Sequence, residues 1–293
     1  MENVMKEDFE KSPKELEFQE AQRVSVQSQT ALKVFDHFMV DIAIMGESGV
    51  GKSSLVNVLL GFSPECEEGA PTGVVETTMT PTMYPHPKHP YVRLWDLPGM
   101  GTPSFKSKNY IKKMNMDLYD LFVIVFSDRT KENCMYLVDE ILRRHRPFYL
   151  VRSKVDNDLL SESRKCDFTA PSVLNRMRRD CLFHLQAKVK DPRVFLVSTH
   201  GANEYDLQQL METLEGDLPL LRKKAFGDFL EDVSQRPYTL FKCIKLPAVK
   251  REKIRRGDVE QIRAVFRPWD LSNRSARETI LNHVVALEST RIV

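Results

Sequence analysis

The run Gly46-Glu-Ser-Gly-Val-Gly-Lys-Ser53 constrains this chain more than any other stretch, because it matches G-x-x-x-x-G-K-[ST]. It follows the apolar segment Asp41-Ile-Ala-Ile-Met45 and precedes Leu55-Val-Asn-Val-Leu-Leu60. A buried strand therefore feeds a glycine-rich turn that opens into a helix, the context such a loop needs to work. The glycines let the backbone curl until successive N–H groups face one anion. The helix behind the loop turns its positive end toward the same point. The loop from Gly46 and Glu47 to Ser53 is thus expected to cradle a polyphosphate, with Lys52 on the outer phosphates and Ser53 ligating Mg²⁺.

Apolar runs recur at Met39–Met45, Val92–Trp95, Leu121–Phe126, Phe148–Val151 and Val194–Val197. Continuous runs of this kind suit strands covered on both faces of a mainly parallel sheet. Helix-like stretches lie between them at Ser53–Leu60, Lys131–Arg144, Ser172–Ala187 and Leu207–Leu214. The alternation predicts a doubly wound α/β domain over residues 36–220 whose ligand sits beyond the carboxyl ends of the strands. An N-terminal helical segment (1–35) starts near Pro13, with acids in its first turn. After Leu221 the alternation stops. Residues 221–293 form a short, partly helical region, notably at 257–266 and 274–288, with breaks at Pro237, Pro247 and Pro268.

Further motifs fall where a nucleotide would need them. The strand Val92–Trp95 runs into Asp96-Leu-Pro-Gly99, a D-x-x-G pattern 50 residues after the loop begins. Asp96 can hold Mg²⁺ through a coordinated water, and the Gly99 N–H can approach the terminal phosphate. The stretch Pro71–Thr80 occupies the place of a first switch loop, in which a threonine closes on metal and γ-phosphate. Position alone does not choose among Thr72, Thr77 and Thr78. Directly after the strand Phe148–Val151 comes Ser153-Lys-Val-Asp156. A carboxylate there accepts from guanine N1–H and the N2 amine. Adenine would leave it unpaired, a penalty of about 1–3 kcal/mol. Lys154 can lay its alkyl stem along the base. The usual tetrapeptide begins with Asn or Thr, so Ser153 departs from the pattern. Ser198 and Thr199 follow the last strand, at the position of the loop that backs the base. Guanine nucleotide, GTP or GDP, with Mg²⁺ is the expected ligand.

Composition narrows the alternatives. Of 293 residues, 42% are hydrophobic and 29% charged, enough to bury a core. No apolar run approaches the roughly 20 residues of a membrane-spanning helix. The Met1-Glu2-Asn3 start resembles neither a secretory signal nor a myristoylation site. The five cysteines are scattered and odd in number, which indicates free thiols in a reducing, cytoplasmic setting. His86 and His89 have metal-like spacing, but their Pro-rich surroundings read as a solvated loop. Residues 220–293 carry 16 Lys and Arg against 9 Asp and Glu, leaving 27 against 32 elsewhere. That basic tail suits an anionic lipid surface, an acidic partner or simply solvent.

Taken together, Gly46–Ser54, Thr72–Met79, Leu94–Gly99, Tyr119–Phe122, Lys154–Asp156 and Asp191–Ser198 resemble the immunity-related, interferon-inducible GTPase family, over about residues 35–220. The resemblance implies cell-autonomous defence, GTP-dependent self-association on intracellular membranes and hydrolysis accelerated by that association. It also implies that Gly49, Gly51, Lys52, Ser53 and Ser54 hold phosphates and metal. By the same likeness Thr72, Gly73 and Thr78 belong to the first switch, Glu76 acts in hydrolysis, and Lys154 and Asp156 read the base beside Thr199. Family members carry a long C-terminal helical domain, whereas about 70 residues follow the nucleotide domain here. Many small G proteins place a water-orienting Gln directly after D-x-x-G; here that position is Met100. Hydrolysis is the leading expectation, with Lys52 and Glu76 as its catalytic residues. A non-catalytic GTP-binding regulator or scaffold is the alternative, and nucleic acid is not an expected partner.

Overall fold

The structure is a computed structural model that describes residues 32, 35, 36, 38–63, 66, 68–73, 78–101, 107–127, 132–200, 205–235 and 274–289. Residues Met39–Ala225 form one compact unit, and Met1–Phe38 with Phe226–Val293 form a second.

The first unit is built on a six-stranded sheet of order β2-β3-β1-β4-β5-β6. Its strands are β1 (Val40–Gly46), β2 (Thr82–Pro85), β3 (Val92–Asp96), β4 (Leu121–Phe126), β5 (Phe148–Arg152) and β6 (Val194–Leu196). All neighbours pair parallel except β2, which runs antiparallel to β3 at the edge. The helices are α1 (Lys52–Leu60), α2 (Ser107–Met114), α3 (Glu132–Arg143), α4 (Val155–Glu162), α5 (Ala170–Gln186) and α6 (Leu207–Gln235).

Strand alternation explains why the central strands read as unbroken apolar runs. Val40, Ile42 and Ile44 of β1 and Leu121, Val123 and Val125 of β4 share a core with Leu55 and Leu59 of α1 and with Leu207, Leu210 and Leu214 of α6. The intervening Ala43, Met45, Phe122 and Ile124 point into a second core against α2, α3 and α5. Both faces are covered, so both are predominantly apolar. The expected doubly wound, mainly parallel α/β fold is what the chain forms. From β1 the chain crosses to β3 on one side and returns to β4 on the other. A crevice therefore opens at the carboxyl end of β1, where the glycine-rich loop begins.

Three elements escape the sequence patterns. β2 is exposed along most of its length and ends in Pro85, the kind of strand tolerated only at an edge, where a missing N–H breaks no ladder. The short α2 and α4 also went unanticipated. The helix expected over Leu207–Leu214 runs 29 residues to Gln235, straight through Pro219. Buried Leu207, Leu210, Leu214, Leu218, Leu221 and Ala225 keep helical spacing across the proline, and this continuous stripe outweighs the one backbone bond that Pro219 removes.

In the second unit Phe226 packs edge-on against Phe35 and Phe38, with ring centroids 5.0 and 5.4 Å apart. Its helix α7 (Arg274–Ser289), expected over 274–288, buries Ile280 and Val284. The helices expected from Pro13 and over 257–266 lie outside the described residues. Among the described residues, no helix is long and apolar enough to cross a membrane, no group of His, Cys, Asp and Glu could hold a metal by itself, and the cysteines are free. The His86 ring caps its own turn, with Nδ1 accepting from the backbone N–H of Lys88 and His89.

Candidate nucleotide-binding site

The loop from Gly46 to Ser53 links the end of β1 to α1. Gly49 and Gly51 take left-handed backbone angles (φ 77° and 87°), and Gly51 caps the helix. The first intrahelical bond is donated by the Leu55 N–H to Gly51. The amides of Lys52, Ser53 and Ser54 therefore stand before the hydrogen-bonded ladder, as N-terminal amides do. The first turn of α1 holds no acid to compete for them. Lys52 is buried and donates to the Glu47 carbonyl at 2.8 Å, which keeps its ammonium over the loop. The Glu47 carboxylate is turned away by Asn133 at the start of α3, which donates to it at 2.7 Å.

At the end of β3, Asp96 is fully buried. Its Oδ2 accepts from Ser53 Oγ at 2.6 Å and from Thr78 Oγ1 at 3.0 Å, and the two hydroxyls lie 3.5 Å apart. Its Oδ1 is enclosed and has no hydrogen-bond partner. Burial pushes the carboxyl above its ordinary range, against the pull of Ser53, Lys52 and Thr78. An enclosed, unpartnered carboxylate oxygen costs free energy that a cation would recover. Three converging oxygen side chains are the donor set of a hard, octahedral ion, so the site fits Mg²⁺. Of the candidate threonines among the described residues, Thr78 is brought to this cluster. Thr72 and Gly73 are exposed, while Val74, Val75, Glu76 and Thr77 lie outside the described residues.

The D-x-x-G segment is pressed onto the phosphate loop. A Cβ on Gly99 would sit 2.6 Å from Ser48 Cα, so only glycine fits there. Met100 then donates its N–H to the Gly46 carbonyl at 3.0 Å and accepts from the Ser48 N–H at 3.2 Å. Its side chain is buried in the core beneath α2 and α3. Tyr110 of α2, which sequence reasoning missed, holds the same segment by donating to the Pro98 carbonyl at 2.9 Å.

The base end assembles from β5 and β6. Ser153 is buried, and its hydroxyl lies 2.6 Å from the Val50 carbonyl of the phosphate loop and 3.1 Å from that of Phe126. The short side chain thus links the phosphate and base loops. Lys154 is exposed, has left-handed backbone angles (φ 58°) and caps α4. Asp156 follows in the first turn of α4, and its Oδ1 is enclosed without a hydrogen-bond partner. The Val155 N–H donates to Val197, which brings the two loops together. Ser198 is buried and accepts the His200 N–H, and Thr199 is half-buried beside it. Beneath β6, Arg178 Nη2 donates to both carboxylate oxygens of Asp206, at 2.9 and 2.6 Å.

The chain matches the family model "Interferon-inducible GTPase (IIGP)" over residues 5–255, a longer stretch than the one that carries the resemblance by eye. Interferon-inducible GTPase 5 of Bos taurus is 44% identical over 198 residues, 67% of this chain and 43% of that protein. T-cell-specific guanine nucleotide triphosphate-binding protein 2 of Mus musculus is 39% identical over 210 residues, 71% of this chain and 51% of that protein. The chain thus spans about half the length of the curated relatives it matches. Among solved structures, Toc33 from Arabidopsis thaliana in complex with GDP and Mg²⁺ aligns with a TM-score of 0.45 at 16% identity, over 64% of this chain and 89% of that one. With the family model matching residues 5–255, most of its length, this chain belongs to the interferon-inducible GTPase family.

Proposed function

We propose that the chain binds GTP with Mg²⁺ at the carboxyl edge of its sheet and hydrolyses it to GDP and phosphate. The observation that carries this reading is the Ser53–Thr78–Asp96 cluster, with one enclosed carboxylate oxygen left over for a cation. Mg²⁺ bound there would neutralise charge on the phosphate oxygens. Water attacks the γ-phosphorus, the bond to the β-phosphate oxygen breaks with its electron pair leaving on GDP, and a proton is released. Lys52 and the amides opening α1 lie where that charge develops. Asp156 selects guanine, Lys154 covers the base, and Ser198–Thr199 back it. Glu76 belongs, by family likeness, to the activation of water. The same likeness supports GTP-dependent self-association and a contact with intracellular membranes in cell-autonomous defence.

A second reading, a GTP-loaded regulator with little turnover, is favoured by Met100, whose buried side chain cannot orient water. Phosphate release measured against protein concentration separates the two. Turnover per molecule that climbs with concentration supports hydrolysis through self-association. Tight GTP retention without turnover supports the regulator, and failure to bind any guanine nucleotide in Mg²⁺ buffer refutes both.

A further inference from the structure

Asn57 is a polar side chain in the middle of α1 that is 3% exposed, and the nucleotide-binding reading does not use it. It makes a two-point pairing with the backbone of Ala70. Its Nδ2 donates to the Ala70 carbonyl at 3.0 Å, and its Oδ1 accepts the Ala70 N–H at 2.6 Å. The neighbouring residue is matched to this contact, since a Cβ on Gly69 would lie 2.9 Å from Asn57 Oδ1. Ala70 itself is buried in the core that α1 helps to form.

The position of Asn57 on its helix gives the pairing its meaning. Ser53 and Asn57 are four residues apart, so they project from nearly one face, about 6 Å along the axis from each other. Ser53 meets Thr78, near the end of the first switch stretch Pro71–Thr80, through the shared Asp96 carboxylate. Asn57 holds Ala70, the last buried residue before that stretch. One turn of α1 therefore grips both stems of the switch, one at the metal cluster and one at a fixed backbone anchor. We propose that Asn57 is a positioning residue for the first switch. By fixing where the loop leaves the core, it sets how readily Thr78 reaches Mg²⁺ and the γ-phosphate.

The inference rests on the guanine-nucleotide reading, and its test keeps the two apart. Affinities for GDP and for a non-hydrolysable GTP analogue, both with Mg²⁺, are measured for the wild type, Asn57→Ala, Asn57→Asp and Gly69→Ala, alongside thermal melting. Switch loops of this kind are ordered by contacts to Mg²⁺ and the γ-phosphate, which GDP lacks. Asn57→Ala is therefore expected to weaken the analogue by about tenfold, with GDP affinity changing by less than about threefold. Asn57→Asp keeps the acceptor for the Ala70 N–H and falls between. Gly69→Ala pushes on Asn57 from the loop side and shifts the same ratio, which keeps the test available if Asn57→Ala fails to fold. In the Asn57→Ala background the added methyl no longer meets Oδ1 and keeps only its 3.2 Å approach to the Cys66 carbonyl, so the part of the Gly69→Ala effect on the analogue/GDP ratio that runs through Asn57 should vanish. Parallel loss of both affinities with a lowered melting temperature would reduce Asn57 to a structural residue and overturn the proposal. A wild type that binds neither nucleotide would remove the reading beneath it and this inference with it.

Discussion

Asp156→Asn should move nucleotide affinity and the stability of the empty protein in different directions, and the geometry sets both sizes. Asp156 Oδ1 is enclosed and lacks a hydrogen-bond partner. Guanine offers that carboxylate two N–H groups, and a hydrogen bond to a charged group is worth about 1.5–3 kcal/mol. An amide keeps one acceptor but turns an NH₂ toward a guanine N–H, which loses one bond and sets donor against donor. A loss of about 3 kcal/mol corresponds to a fall in affinity of more than a hundredfold. In the free protein the unpartnered oxygen costs about 1–3 kcal/mol, which the neutral amide lessens. Against that gain, the first turn of α4 loses an acid worth about 0.3–1 kcal/mol. The nucleotide-free melting temperature should therefore hold or rise slightly while GTP and GDP affinities drop. Fluorescent-nucleotide titration with competition by GTP, ATP and xanthosine triphosphate reads the binding arm. Xanthine carries a carbonyl at C2 that an amide can donate to, so its nucleotide should gain on GTP. An unchanged preference for GTP over ATP, or a melting temperature that falls as far as the affinity, would refute the assignment of Asp156 to the base.

Three more outcomes follow from contacts away from the base. Ser153→Ala removes the hydroxyl that lies against the Val50 and Phe126 carbonyls; it should cost about 1–3 kcal/mol in urea unfolding and speed nucleotide release in stopped-flow displacement. Arg93→Met strips both prongs from the buried Asp41, now paired at 2.8 Å on each oxygen. Leaving that buried carboxylate without its cation, with the Trp95 indole N–H still donating at 2.6 Å, should cost about 3–5 kcal/mol of stability while leaving the GTP/ATP preference alone, because Asp41 sits at the opposite end of β1 from the phosphate loop. Met100→Gln should not raise phosphate release, since the side chain points into the core; it should instead destabilise by about 1–3 kcal/mol through a buried amide without partners, read by thermal melting.

Much of this was legible before any coordinates, for reasons that differ from part to part. The phosphate loop was readable because a backbone with positive φ at Gly49 and Gly51 demands particular residues in a particular order. The core strands were readable because a sheet covered on both faces makes β1 and β4 apolar apart from the paired Asp41. β2 was not, since an exposed edge strand with a proline at its end has no apolar signature. The length of α6 was hidden by Pro219, a breaker overruled by the leucine stripe on either side. The choice of Thr78 over Thr72 could not be made from spacing, because it depends on where β3 delivers Asp96. Asn57 could have been suspected. An asparagine in a helix interior gives up helix propensity, and its place one turn after Ser53 on the same face was on view.

Two residues that depart from the usual small G-protein pattern prove to be packing and tethering positions. Ser153 is shorter than the usual Asn, yet the phosphate loop comes close enough for a single hydroxyl to reach the Val50 carbonyl at 2.6 Å. Met100 replaces a water-orienting amide with a core side chain, and both of its backbone groups are stitched to the phosphate loop. A segment held this way can present the Gly99 N–H but cannot swing a polar group over the γ-phosphate. If GTP is hydrolysed here as proposed, the polar group that small G proteins draw from the second switch must come from elsewhere, and the first switch stretch is the expected source. That stretch is anchored at one end by Asn57 and at the other by the Asp96 cluster, so we expect the stems that hold the first switch to govern turnover and Asp156 to govern which base is admitted.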